Sequence, residues 1–264
     1  MQGTRYRLSG RMTNALVGAL LPLTVLAVWQ LSAAYGLVNA VLVPPPAEIA
    51  REFGRMIASG ELQHNLAIST GRAMLGFLIG GALGLAAGVW VGFSLRAERL
   101  LDPSLQLLRT LPHLAVAPLF ILWFGFGETS KLLLIAKGAF FPLYVNAFLG
   151  VRSVDRNLID VARVLQFSRW ETVTRLIIPA SLPSLFLGVR LSVAVSWLGL
   201  VVAELMGSSS GLGYIINDAR SFSLTSVVFV GIIVFAAVGK VTDEIVKLLE
   251  RRLLRWQHTM RGAD

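Results

Sequence analysis

Residues 160–179, DVARVLQFSRWETVTRLIIP, decide how this chain reads. The stretch is basic and amphipathic, and it interrupts a sequence otherwise suited to lipid. Just before it and into it, Val154, Leu158, Val161, Ala162 and Leu165 recur at helical spacing on one face, while Arg156, Asn157, Asp160 and Arg163 fall on the others. The pattern predicts a helix over 154–165 and a break at Gln166-Phe167. Ser168 and Glu171 then match S-x-x-E, the capping box that starts a second short helix. Pro179 and Pro183 punctuate the approach to the next apolar run. Two readings stay open on spacing alone. The element is a solvated loop carrying surface helices, or it is a docking surface for a partner outside the bilayer.

The rest of the chain is membrane-like. Of its 264 residues 55% are hydrophobic and only 15% charged, with a mean hydropathy of +0.69; soluble domains carry about 25% charged residues. Apolar stretches long enough to cross a bilayer recur. The expected fold class is therefore an all-α polytopic membrane protein with about six transmembrane helices, over 14–35, 66–93, 105–126, 132–151, 182–206 and 227–246. An even number of spans puts both termini on one side. With the N-terminus inside, the inner loops hold Arg5, Arg7, Arg11, Arg96, Arg99, Arg152, Arg156, Arg163, Arg169, Arg175, Lys247, Arg251, Arg252, Arg255 and Arg261. The outer loops hold only Arg51, Arg55, Lys131 and Arg220. That asymmetry orients the chain and accounts for its net charge of +9. Nucleic-acid binding would need a clustered basic patch with its own fold, and none is visible. The absence of cysteine excludes disulfides, thiolate metal sites and Cys nucleophiles. The basic N-terminus precedes an apolar run too long for a signal-peptide core and without a clear cleavage site, so the first span is expected to be retained.

Several local features bear on function. Val43-Pro44-Pro45-Pro46 stops helix in the first outer loop, and Pro46 can start an amphipathic helix through Ala58, with Ile49, Phe53 and Ile57 on one face. Gly76, Gly80, Gly84, Gly88 and Gly92 recur every fourth residue, a stripe that lets another helix approach closely, either as plain packing or as a surface that slides during gating. Residues 207–214, GSSSGLGY, read as an ordinary outer loop or as a gate lining a cavity. Ionisable residues in or near the spans are Arg72, Arg109, His113, Lys137, Arg190 and Glu204; each is an internal ion pair, a snorkelling side chain or a member of a polar path. Arg190, Glu204, Ser209, Gly211 and Gly213 are the candidate pathway or gate residues. There is no G-x-x-x-x-G-K-[ST], no H-E-x-x-H, and the three histidines, His64, His113 and His258, lie far apart, so no catalytic or metal site is expected.

The stretch 160–179 is similar to the E-A-A…G…I…P motif of binding-protein-dependent ABC importer permeases. Asp160-Val161-Ala162 stand at E-A-A, and Leu176 and Pro179 at the isoleucine and proline. Gln166 occupies the glycine position and is the departure, because glycine there permits a left-handed backbone. The resemblance implies that about 153–172 is the coupling helix seated in a groove of an ATPase subunit, with Asp160, Val161, Ala162, Arg163, Gln166 and Pro179 in that role. Leu111-Pro112-His113, Ile121-Leu122-Trp123-Phe124-Gly125, Ala203-Glu204-Leu205-Met206 and Gly211-Leu212-Gly213-Tyr214 look like the branch that imports sulfonates, taurine, nitrate or bicarbonate, most nearly its aliphatic sulfonate permeases. The resemblance spans nearly the whole chain. It implies a type I ABC importer permease fold, one transmembrane permease domain over 1–264. It also implies a homodimer in the bacterial inner membrane with both termini cytoplasmic, two ABC ATPase subunits and a periplasmic solute-binding protein. ATP and Mg would belong to the ATPase, with no cofactor in this chain. The rivals are a taurine, nitrate or bicarbonate permease, a secondary transporter, which the lack of an evident inverted repeat disfavours, and a membrane enzyme. Since the spans offer few polar groups to recognise a sulfonate, selectivity is expected mainly in the binding protein.

Overall fold

The computed structural model describes residues 3–254, with side chains from Gly18 onward. Arg255, His258 and Arg261, and the side chains of Arg5, Arg7 and Arg11, lie outside the described residues. Eleven helices follow in order: α1 Gly3–Ala34, α2 Pro46–Ala58, α3 Glu61–Phe93, α4 Leu95–Arg109, α5 His113–Phe124, α6 Glu128–Arg152, α7 Arg156–Val164, α8 Arg169–Glu171, α9 Ile178–Gly207, α10 Leu212–Ser221 and α11 Thr225–Leu253. A π-helical segment, Thr172–Ile177, joins α8 to α9. Among the described residues there is no strand. This is an all-α polytopic membrane protein. Among the described residues four helical runs, Glu61–Phe93, Glu128–Arg152, Arg169–Gly207 and Thr225–Leu253, are long and apolar enough to cross a bilayer, and α1 carries a shorter apolar segment, Gly18–Ala34. Large apolar side chains such as Leu78 and Trp90 of α3 and Leu187 and Leu198 of α9 remain exposed on these helices, as a lipid-facing surface requires.

One expected span is wrong in shape. The span anticipated over 105–126 is instead parts of two helices, Leu95–Arg109 and His113–Phe124, meeting at 97°. Thr110 closes α4 by donating its N–H and its Oγ1 to the Leu107 carbonyl. Pro112 then has no N–H to continue a helix, and a residue before proline, here Leu111, is pushed out of the helical region. Pro112 becomes the N-cap of α5.

The chain divides into two compact units. The first joins the described residues up to Leu62 with Ile215–Ile233. In it α2 occupies the expected range, with Pro46 at its first turn, where the missing N–H costs nothing. Its buried residues are Ile49 and Met56, whereas Phe53 and Ile57 of the expected face stay partly exposed. The Trp29 and Phe229 rings lie 5.4 Å apart in the same unit.

The second unit joins Gln63–Tyr214 with the described residues from Val234. Here the glycine stripe of α3 lies on α6. A Cβ added at Gly76 would meet the Ile135 side chain at 2.5 Å, one at Gly92 the Val151 Cβ at 2.8 Å, and those at Gly80, Gly84 and Gly88 would collide with the carbonyls of Ala136, Phe140 and Tyr144. Helix α9 packs on α6 as closely. Ser192 Oγ donates to the Ala139 carbonyl at 2.7 Å and Ser184 Oγ to the Asn146 carbonyl at 2.9 Å. Helix α4 is held on α6 by Tyr144 Oη, which donates to Asp102 at 2.7 Å, by an Arg152–Glu98 ion pair, and by the cluster of Val91, Ala97 and Tyr144.

Candidate functional site

The amphipathic element forms as its spacing predicts, slightly shorter than 154–165. Asp155 caps α7, accepting from the Asn157 N–H at 2.9 Å. Val154 and Ala162 are buried within the chain, while Leu158, Val161, Val164, Leu165 and Trp170 are exposed. The apolar stripe is therefore two surfaces. One seats the helix on its own chain, and the other, advanced around the helix by about a quarter turn, faces away from it. Ala162, placed by motif on the docking side, belongs to the inward surface at 4% exposure. Asp160 and Arg163 pair with each other on the polar flank at 2.9 Å.

The turn at Gln166 keeps the geometry a glycine would give. Gln166 sits at φ 55°, in the left-handed region. The Phe167 N–H reaches the Ala162 carbonyl at 2.9 Å and the Gln166 N–H the Arg163 carbonyl at 2.9 Å. Those are the two bonds of a Schellman C-cap, with glutamine where glycine is usual. A non-glycine residue there is held at a cost of about 1–2 kcal/mol, so the surrounding bonds over-determine the turn. Gln166→Gly is expected to relieve that strain, partly offset by glycine's larger unfolded-state entropy. Amide exchange over 162–167 is expected to slow by about fivefold; unchanged or faster exchange would mean that the turn is unstrained.

Ser168 and Glu171 form the expected capping box, with both reciprocal bonds present. The prolines, however, do not separate this helix from the next span. A continuous helical run extends over Arg169–Gly207. Pro179, at the second position of α9, lacks the N–H that would bond the Arg175 carbonyl, and its ring crowds that carbonyl. The segment before it widens to π geometry instead of breaking. Helix α8 and span α9 thus form one rod, and α7 is set off from it by the turn at Gln166.

A second constellation lies at the far end of that rod. The Arg72 guanidinium, from α3, is 7% exposed and meets two carboxylates: Glu204 of α9 at 2.8 Å and Glu128 of α6 at 2.6 Å. Its Nε also donates to Glu128 at 2.7 Å, so that contact is a two-pronged fork. Its remaining N–H groups reach the Ser210 carbonyl at 2.6 Å, Ser210 Oγ at 3.1 Å and Ser208 Oγ at 3.2 Å. Glu204, with a fully buried side chain, accepts from Ser69 Oγ at 2.8 Å and from the Gly213 N–H at 2.9 Å. The Leu212 N–H donates to Ser69 Oγ at 2.8 Å and the Gly211 N–H to Asn65 at 2.7 Å. Lys131 closes the set on Glu128 at 3.0 Å. Two cations face two carboxylates, and the Gly213 N–H in the first turn of α10 points at the Glu204 anion, as a helix N-terminus favours.

This arrangement explains the loop's composition. Gly211 lies at φ 107°, and a Cβ there would collide with the Glu204 carboxylate. At Gly213 a Cβ would come within 2.5 Å of Glu204 Cβ. Ser208 and Ser210 bind Arg72, whereas Ser209 is exposed. Residues 208–211 are non-helical, but α10 begins at Leu212, earlier than the loop reading over 207–214 allowed. Glu204, Gly211 and Gly213 are brought together, and Ser209 is not part of the network. Arg72 and Glu128 were missed as partners. The available signal was Glu204 itself, a carboxylate in an apolar run that demands a cation, and Arg72 in the apolar α3 meets the demand. Arg190 lies elsewhere: its Nε donates to Asp243 at 2.8 Å, and Asp243 also pairs with Lys247 at 2.6 Å. The internal ion pair is the reading the geometry supports for it.

The family described as binding-protein-dependent transport system inner membrane component matches residues 80–255. The putative aliphatic sulfonates transport permease protein SsuC of Bacillus subtilis (strain 168) is 58% identical over 245 residues, 93% of this chain and 89% of the relative. Its namesake in Escherichia coli (strain K12) is 46% identical over 236 residues, 89% of this chain and 90% of the relative. The taurine transport system permease protein TauC of Escherichia coli (strain K12) is 36% identical over 259 residues, 96% of this chain and 92% of the relative.

Proposed function

From the premise that this chain belongs to the family of binding-protein-dependent transport system inner membrane components, we propose that it is the transmembrane subunit of an ATP-driven importer moving a small aliphatic sulfonate across a bacterial inner membrane. The observation that carries the coupling role is the outward apolar surface of Leu158, Val161, Val164, Leu165 and Trp170 on a capped element whose second helix runs on into a span. An apolar surface outside the bilayer favours a partner that covers it. The partner is an ABC ATPase subunit, two copies serving a homodimer of this chain, with ATP and Mg held there. A periplasmic solute-binding protein delivers the anion. The excess of basic residues on one set of loops supports a cytoplasmic position for both termini and α7. ATP closure moves α7 and, through the hydrogen-bonded turn at Gln166, the continuous run Arg169–Gly207, so that the push reaches Glu204 and its network at the far end of that run. The Arg72–Glu204 latch holds the 208–211 loop in one state of alternating access.

Val164, 82% exposed, is the residue to test. Val164→Glu places a charge on the outward surface without disturbing the chain's own packing, which Ala162→Glu would do. The variant is expected to fold as wild type and to lose co-purification with the ATPase subunit, or to hydrolyse ATP without transport. Intact assembly and wild-type transport would show that this surface docks nothing.

A further inference from the structure

The elbow between α4 and α5 opens on a cavity of about 540 Å³, lined among others by Arg109, His113, Lys137 and Asn146. Its lining contains no Asp or Glu. That sets it apart from the surroundings of Arg72, Lys131, Arg152 and Arg190, each of which faces a carboxylate. Among the described residues neither Arg109 nor Lys137 has a carboxylate within ion-pair distance. Lys137 Nζ donates to the Leu111 carbonyl at 3.1 Å, which leaves two of its three N–H groups for something else. His113 Nε2 is buried without a hydrogen-bond partner. Phe141, Leu191 and Val195 supply an apolar wall.

The cavity lies at membrane depth. Helix α5 has 12 residues, about 18 Å of a hydrocarbon core about 30 Å thick, so it alone does not cross. Lys137 is the tenth residue of the 25-residue α6, about 14 Å along it. Irregular backbone and unpaired cations at that depth are tolerated where they line an aqueous cavity. The volume suits a small organic molecule.

We propose that this cavity is a transient anion site on the transport path, taking the sulfonate headgroup at Arg109 and Lys137 and the aliphatic tail against Phe141, Leu191 and Val195. This rests on the importer reading above. Two flexible cations without a fixed fork of backbone donors attract a single negative charge and release it readily, as passage requires. The site replaces Arg190, whose charge is already met by Asp243.

The test uses the full complex of this chain, its ATPase and its binding protein in liposomes, with ethanesulfonate as probe. Lys137→Gln, Lys137→Met and Arg109→Gln are each expected to lower uptake at saturating binding protein by about tenfold, the loss of one favourable charge contact, while Lys137→Arg stays within about threefold of wild type. Co-purification with the ATPase reads assembly separately from transport. Neutral variants that assemble and import within about twofold of wild type overturn the site and leave the importer reading standing. A wild-type complex that hydrolyses ATP and imports no ethanesulfonate overturns that reading, and the site with it.

Discussion

Replacing Arg72 with Met is expected to lower the stability of the purified protein by about 3–5 kcal/mol, the usual result of removing one partner from a buried ion pair. The variant leaves Glu204 fully buried with only the Ser69 hydroxyl and the Gly213 N–H as donors. It also releases Glu128, Ser208 and Ser210, so the 208–211 loop is left with the Gly211 N–H to Asn65 bond as its hold on α3. Glu204→Gln is milder, at about 1–2 kcal/mol, because Arg72 keeps its fork to Glu128 and the amide oxygen still accepts from Gly213. The thermal midpoint in detergent reads the difference between the two variants. Equal, small shifts would mean that the network is solvated and holds nothing shut.

Gly84→Leu is the second large effect. The stripe on α3 meets α6 backbone to backbone, and at Gly84 the nearest atoms are the carbonyl and Cα of Phe140, which cannot rotate away. Overpacking of this kind costs about 1–3 kcal/mol, and more where backbone must move. Gly71, in the same helix, has nothing within 4 Å of an added Cβ. Gly71→Ala is therefore expected to stabilise α3 by up to about 1 kcal/mol through helix propensity alone. Opposite signs for the two substitutions in thermal denaturation separate packing from propensity. A neutral Gly84→Leu would place the stripe against lipid.

Local periodicity carried most of what was legible in the sequence. The capping box at Ser168 and Glu171, the start of α2 at Pro46 and the use of the glycine stripe all depend on residues within a few turns of one another, where propensity and spacing act directly. The bend at Pro112 was available from proline chemistry but was hidden inside an apolar run of spanning length. The two faces of α7 were not separable, because Ala162 and Val161 are both apolar and only tertiary contact tells the inward from the outward one. Arg72 and Glu204 are 132 positions apart, and no local rule joins them. The conformation of Gln166 is a case where context overrode propensity: two hydrogen bonds fix a left-handed turn that the residue type disfavours. Arg190 and Lys137 show the same limit from the other side. Both are lone cations in apolar helices, and only the fold tells which has found a carboxylate.

The central claim is that this chain moves an anion inward only when an ATPase drives it. The most direct measurement is ethanesulfonate uptake into proteoliposomes, with the ATPase subunit on the side of α7 and the binding protein on the other. The account predicts uptake that requires ATP, the ATPase and the binding protein together, and that persists when ion gradients are collapsed. Uptake by this chain alone, driven by a proton or sodium gradient without ATP, would contradict it.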